Sequence, residues 1–378
     1  MEFKINKYSL LTIFFYFIMT TLFFLLSLEK NMGISFALFG GGDDSLGYWY
    51  FLQNKLNGLP YIKTSIYVDF IGFFIQITGL NSPYFVRLLN IGALSGLIFY
   101  SNRLIRLQSS SEKAVKMSNI IIMFYASILT ITTLGIYRDI WIYFFFMMTV
   151  YYSYDVILNK RIVSLIMFVV SFYFLFGFRG YAALSIVLGI GVYLFFKHVK
   201  NYKRLLLIAI VLFAIYYTFF KQIKIAGFSL TNALAYRNLN MTEFSGGSNL
   251  YIPLDVDNIF VFLFNYAQSY IYNLLSPFPW QITGLGTLLV FVTEFFFMIA
   301  MLLSIYKKKS EISPLGKYAL IQAFVWNMII AFTNDNIGTA SRLRVISWIL
   351  IIGVFVSLYH KKVQKPQKTG VTIDDAAI

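Results

Sequence analysis

Two adjacent carboxylates, Asp43 and Asp44, follow three glycines in the stretch GGGDDSLGYWYF, which begins at Gly40. A carboxylate held beside a hydroxyl can take its proton, and a glycine run lets the backbone turn to aim it. Arginines recur further along: Arg138 with Asp139 in YRDIW, Arg179 in FGFRGYAAL, Arg237, and Arg342 with Arg344 in NDNIGTASRLR. The guanidinium is a planar fork that matches phosphate oxygens. Together these residue types suit proton abstraction beside a bound phosphate.

Each also has a plainer role. The acids fit the first turn of a helix SLGYWYFLQNKL, where the macrodipole favours negative charge. Asp139 fits an N-cap, Arg138 a headgroup contact, and Arg179 a side chain snorkelling to lipid phosphate. Arg342 and Arg344 share a side if extended and splay if helical. Glu294, inside VFVTEFFF, is a lone carboxyl in an apolar run, where it is protonated or paired; catalysis and helix–helix bonding stay open. His198 and His360 sit in basic clusters and fit solvated positions.

The elements that must carry these groups are membrane helices. The chain has 378 residues, 59% of them hydrophobic and 12% charged, which is not the balance of a soluble domain. Runs such as Tyr8–Leu28, Leu285–Tyr306 and Val345–Tyr359 approach or reach the length that crosses a bilayer. The first lacks a small-residue cleavage site and reads as a retained anchor. With no cysteine, thiol chemistry and thiolate metal sites are excluded.

The net charge of +15 does not point to nucleic acid, because most of the 31 basic residues stand in short clusters between apolar runs. Those clusters are Lys4/Lys7, Arg103–Lys116, Lys160/Arg161, Lys197–Arg204, Lys307–Lys317 and Lys361–Lys368. They mark cytoplasmic loops, with both termini inside and the Asp43-Asp44 loop outside. Parity between outer and inner loops then demands that Ser65–Leu80 and Ile259–Leu275 not cross; each is read as a helix on the outer surface. The sequence predicts an all-α polytopic fold. It has about ten spans near 8–28, 84–102, 117–135, 140–158, 162–178, 181–197, 204–220, 285–306, 317–333 and 345–360. One transmembrane domain covers 1–360, with outer loops 29–83, 221–284 and 334–344, and 361–378 is a disordered cytoplasmic tail.

Four stretches in this order resemble the GT-C class of membrane glycosyltransferases, which use polyprenyl-linked sugars. Asp43-Asp44 with Tyr48 matches the acidic pair of the first outer loop. SIYVDFIGFFIQITGLNSPYFVRLLN matches a juxtamembrane helix leading into a span that opens with Arg-Leu, here Arg87-Leu88. Arg138-Asp139 matches a second outer acid, and Arg179-Gly180 a basic-Gly pair. The likeness covers the first half of the chain. The SPFPW element (Ser276–Trp280) and the GTASRLR turn look like features of bacterial surface-polysaccharide polymerases of the Wzy type.

The resemblance implies an inverting glycosyltransferase of the bacterial cytoplasmic membrane with an extracytoplasmic site. It would polymerise an O-antigen-type polysaccharide from an undecaprenyl-diphosphate-linked oligosaccharide. The leaving group is already anionic, so cations replace an acid: Arg179, Arg342 and Arg344, with Arg138 and Arg237 behind them. Asp44 is the implied base, assisted by Asp43 or Asp139; Tyr48 and Trp280 would contact sugar. No cofactor is implied, though the acids have room for a divalent cation. The implied partners are the lipid-linked sugar, membrane lipid and a chain-length regulator protein, and no nucleic acid. Rival readings are a single-sugar GT-C transferase on undecaprenyl phosphate, a lipid-linked oligosaccharide flippase, a membrane acyltransferase and an assembly subunit.

Overall fold

A computed structural model describes residues 6–36, 44–199, 202–220, 230–242 and 248–360. Asp43, Lys4, Lys200 and the tail 361–378 lie outside them. Among the described residues the chain is helical, in elements α1 (Lys7–Asn31), α2 (Asp44–Leu56), α3 (Tyr67–Thr78), α4 (Pro83–Ser109), α5 (Glu112–Met123), α6 (Ala126–Thr133), α7 (Asp139–Asn159), α8 (Ile162–Phe178), α9 (Gly180–His198), α10 (Tyr202–Phe220), α11 (Leu230–Thr242), α12 (Ile259–Leu275), α13 (Leu285–Val290), α14 (Phe296–Lys307), α15 (Pro314–Thr333), α16 (Ile337–Leu343) and α17 (Val345–Tyr359). A π-helical turn, Phe291–Phe295, joins α13 to α14, so that Leu285–Lys307 runs as one helix.

Six of these are long and apolar enough to cross a bilayer: α1, α4, α7, α9, the joined α13–α14 and α15. Two bent pairs, α5–α6 at 61° and α16–α17 at 47°, raise the number to eight if each is a single span. The ten predicted stretches all fall on helices, of which six to eight among the described residues meet the length and hydropathy of a span. The expected continuous span 117–135 is broken at Phe124-Tyr125, and α8, at 17 residues, sits at the lower limit of spanning length.

Helix starts follow local chemistry. Ser82 and Ser313 each precede a proline at the first helical position, and their hydroxyls accept from Phe85 N at 3.2 Å and Gly316 N at 3.0 Å. The interior is built on α4, α7, α15 and α17. Of the most apolar stretch of α7, 72% is buried, against 22% for α1. The outer helices show Leu10, Phe14, Ile18 and Leu25 on α1, and Ile166, Val169 and Phe176 on α8, to the surroundings. The buried residues of α1 are Ser9, Thr12, Tyr16, Thr20 and Ser27, so its apolar side is the outer one, and helices that turn such a side to the surroundings belong in hydrocarbon. The protein is a membrane-embedded helical bundle.

The two stretches expected not to cross are separate helices. At 12 residues, α3 is about 18 Å long, short of the roughly 30 Å core. Helix α12 has the predicted bounds; Phe260, Phe264 and Ile271 are exposed, while Phe262, Ser269, Asn273 and Leu274 are buried.

Where helices break, buried charge satisfies the ends. Glu294 lies in the π turn; its Oε1 accepts from Ser127 N at 2.8 Å and Ser127 Oγ at 2.6 Å, at the start of α6. Its Oε2 accepts from Arg344 Nη2 at 2.9 Å, at the α16–α17 bend. Arg344 Nη1 also donates to the carbonyl of Ser276, in the SPFPW element. Arg87, fully buried, donates to Thr133 O at 2.9 Å and Leu134 O at 3.3 Å, capping the carbonyl end of α6.

Candidate functional site

The charged residues converge where α2, α7, α9 and α16 meet. Helix α2 begins at Asp44 and α7 at Asp139, so both acids face the positive end of a helix dipole. Close approach at Gly135 brings these two starts together: a Cβ there would lie 2.4 Å from Ser45 Oγ, which accepts from Ile136 N at 3.2 Å. Arg179 is the single extended residue between α8 and α9, at φ −160° and ψ 97°. Gly177, near the end of α8, lets the loop before α3 approach; a Cβ there would lie 2.6 Å from Ile66 Cδ1, and Ile66 N donates to Gly177 O at 3.1 Å. Asn336 caps α16 by accepting from Thr339 N at 3.0 Å, and this seven-residue helix carries Arg342.

Two ion pairs result. Arg342 Nη1 lies 2.7 Å from Asp44 Oδ2, and Arg179 Nη1 lies 3.5 Å from Asp139 Oδ1. Arg179, Arg342 and Arg138 all act electrostatically on Asp139, giving three guanidiniums to two carboxylates. Each arginine lies over a tyrosine ring: Arg138 over Tyr48 at 5.7 Å, Arg179 over Tyr181 at 5.3 Å, Arg342 over Tyr137 at 5.8 Å. Such contacts hold a cation without using its N–H donors. Burial pushes the Tyr48 phenol up to about 12, against the opposing pull of Arg138, so it stays a neutral hydroxyl at ordinary pH.

A cavity of about 800 Å³ opens beside these groups. Asp44, Tyr48, Arg138 and Arg179 supply polar groups to its lining, and Phe51, Phe176, Phe178 and Tyr181 aromatic ones. Arg138 Nε is buried without a hydrogen-bond partner, and Arg179 makes no side-chain hydrogen bond to the described residues. Two guanidinium forks with unspent donors therefore stand at an aromatic-walled hollow, an arrangement that fits a phosphate joined to a ring-bearing group.

The other expected residues lie elsewhere. Arg344 is sealed against Glu294 and Ser276. Arg237 spends its donors on Ile252 O, Ser269 Oγ, Ala331 O, Asn334 O and Asp335 Oδ1, leaving none for a phosphate. Trp280 is 70% exposed and stacks on Phe278 at 5.0 Å, away from the cavity lining. Neither α3 nor α12, the two helices expected on the outer surface, contributes a residue to that lining. Asp43 lies outside the described residues. No group of three or more metal-ligating side chains occurs among the described residues.

Tyr137, Tyr181 and Tyr143, whose hydroxyl donates to Arg342 O at 2.6 Å, escaped the sequence reading. A signal for two was present: Tyr137 precedes Arg138, and Tyr181 follows Arg179 by two. No protein-family model matches this chain, and no curated protein matches it.

Proposed function

We propose that this protein transfers a sugar or oligosaccharide from an undecaprenyl phosphate or diphosphate carrier to an acceptor hydroxyl, at the extracytoplasmic face of a bacterial membrane, in the building of a surface polysaccharide. The observation that carries this reading is the pair of hydrogen-bond-free arginines, Arg138 and Arg179, lining the same hollow as Asp44. Asp44 accepts the acceptor's proton as its oxygen bonds the anomeric carbon. The bond to the carrier's phosphate breaks, and the anion leaves onto the arginines, which need not supply a proton. Attack opposite the leaving group inverts the anomeric centre. The aromatic wall suits sugar rings, and the bilayer holds the carrier's tail. The donor is a repeat-unit oligosaccharide if the enzyme is a polymerase of the O-antigen type, and a monosaccharide if it adds single sugars.

The test is Asp44→Asn in cells lacking the native copy. The variant reaches normal membrane levels and forms no polymer; polymer of normal amount and length removes Asp44 from the chemistry.

A further inference from the structure

Arg342 is placed differently from the two arginines of the cavity wall. It does not line the hollow, and the donor that Arg138 and Arg179 keep is here committed to Asp44 Oδ2 at 2.7 Å. Asp44 lines the hollow and its side chain is 47% exposed, against 27% for Arg342. The guanidinium thus meets the carboxylate from the protein side. Oδ1 accepts no hydrogen bond from the described residues.

The residue is itself held firmly. Its carbonyl accepts from the hydroxyl of Tyr143, a buried residue of α7, at 2.6 Å. Two residues on, Arg344 is tied to Glu294. A helix as short as α16 has little rigidity alone, and these ties supply it from both sides. Asp44, by contrast, follows a glycine run in sequence, which does nothing to fix a carboxylate's direction. A proton acceptor must be held to about half an ångström to work well.

We propose that Arg342 is a positioning residue: it aims Asp44 by holding Oδ2, leaving Oδ1 for the acceptor hydroxyl, and it does not bind the donor's phosphate. This rests on the transferase reading above and assigns within it a division of labour, Arg138 and Arg179 for the anion and Arg342 for the base.

The experiment uses purified full-length protein in nanodiscs, with undecaprenyl phosphate as the binding probe, alongside polymer formation in cells. Arg342→Ala is expected to bind the probe within about twofold of the parent protein while polymer falls at least tenfold, with Arg342→Lys recovering part of it. Arg179→Ala is expected to weaken probe binding about tenfold. If Arg342→Ala weakens the probe as Arg179→Ala does, Arg342 is a phosphate ligand and the proposal is overturned. Unchanged polymer in Arg342→Ala overturns it equally. Failure of the transferase reading shows separately, as normal polymer from Asp44→Asn or parent-like probe binding by Arg179→Ala.

Discussion

Glu294 and Arg344 form a 2.9 Å ion pair with both side chains wholly enclosed, at the place where the π turn meets the α16–α17 bend. A sealed pair is costly to break from one side, because the remaining charge stays buried; the loss is about 3–5 kcal/mol. Glu294→Ala and Arg344→Ala are each expected to lower the thermal unfolding midpoint steeply in detergent. Glu294→Ala combined with Arg344→Ala loses less than the two single losses added. A fully additive double variant would show that the pair is not coupled.

Asp139 offers a test of charge balance. At 3.5 Å from Arg179 it competes with any anion for that guanidinium. Asp139→Asn therefore binds undecaprenyl phosphate more tightly, by about threefold to tenfold, or roughly 0.7–1.4 kcal/mol. Isothermal titration against the parent protein reads this directly. Unchanged affinity with lost polymer would instead make Asp139 the second proton acceptor.

The α2–α3 corner has a pH signature. Burial pushes the Asp69 carboxyl up, but hydrogen bonds from Lys55, Lys63 and Tyr61 outweigh it and hold the group well below the usual range. Lys63 lies at 2.8 Å and Tyr61 Oη at 2.5 Å. A folded-state value below the unfolded one means the contribution is whole above about pH 4 and fades as pH falls toward the folded value. The unfolding midpoint of the parent protein should drop between pH 4 and pH 2 more than that of Asp69→Asn. Parallel curves would remove Asp69 as a latch.

Sidedness is open to labelling, since the chain has no cysteine of its own. Asn57 follows the far end of α2, whose 13 residues from Asp44 are too few to cross a bilayer, so it stays on the side of the site. Ser310 precedes α15, whose 20 residues then run to Thr333 beside Asn334 and α16. In intact cells, Asn57→Cys should react with an impermeant maleimide and Ser310→Cys should not. The reverse pattern would put the cavity in the cytoplasm and end the extracytoplasmic reading.

Hydropathy made the helices legible, and loop parity marked α3 and α12 as distinct elements, which they are. It also brought Asp44, Arg138, Asp139, Arg179 and Arg342 to one region, since costly charges near lipid collect where water and function allow them. The break at Phe124-Tyr125 was invisible: neither proline nor glycine marks it, and the bend is stabilised by Glu294, more than 160 residues away. Arg342 and Arg344 looked equivalent. About 100° per residue puts them some 200° apart on a helix, so one reaches Asp44 and the other Glu294. Arg237 looked like a spare cation because its partner, Asp335, lies 98 positions along the chain.

The link between α8 and α9 is one residue long, and that residue is Arg179. There is no slack to absorb a change in the angle between the two helices. Any swing of either against the other turns the Arg179 backbone and carries its guanidinium with it. The cation that lines the hollow and the joint between the two helices are the same amino acid, so a change in their angle moves that charge without a relay.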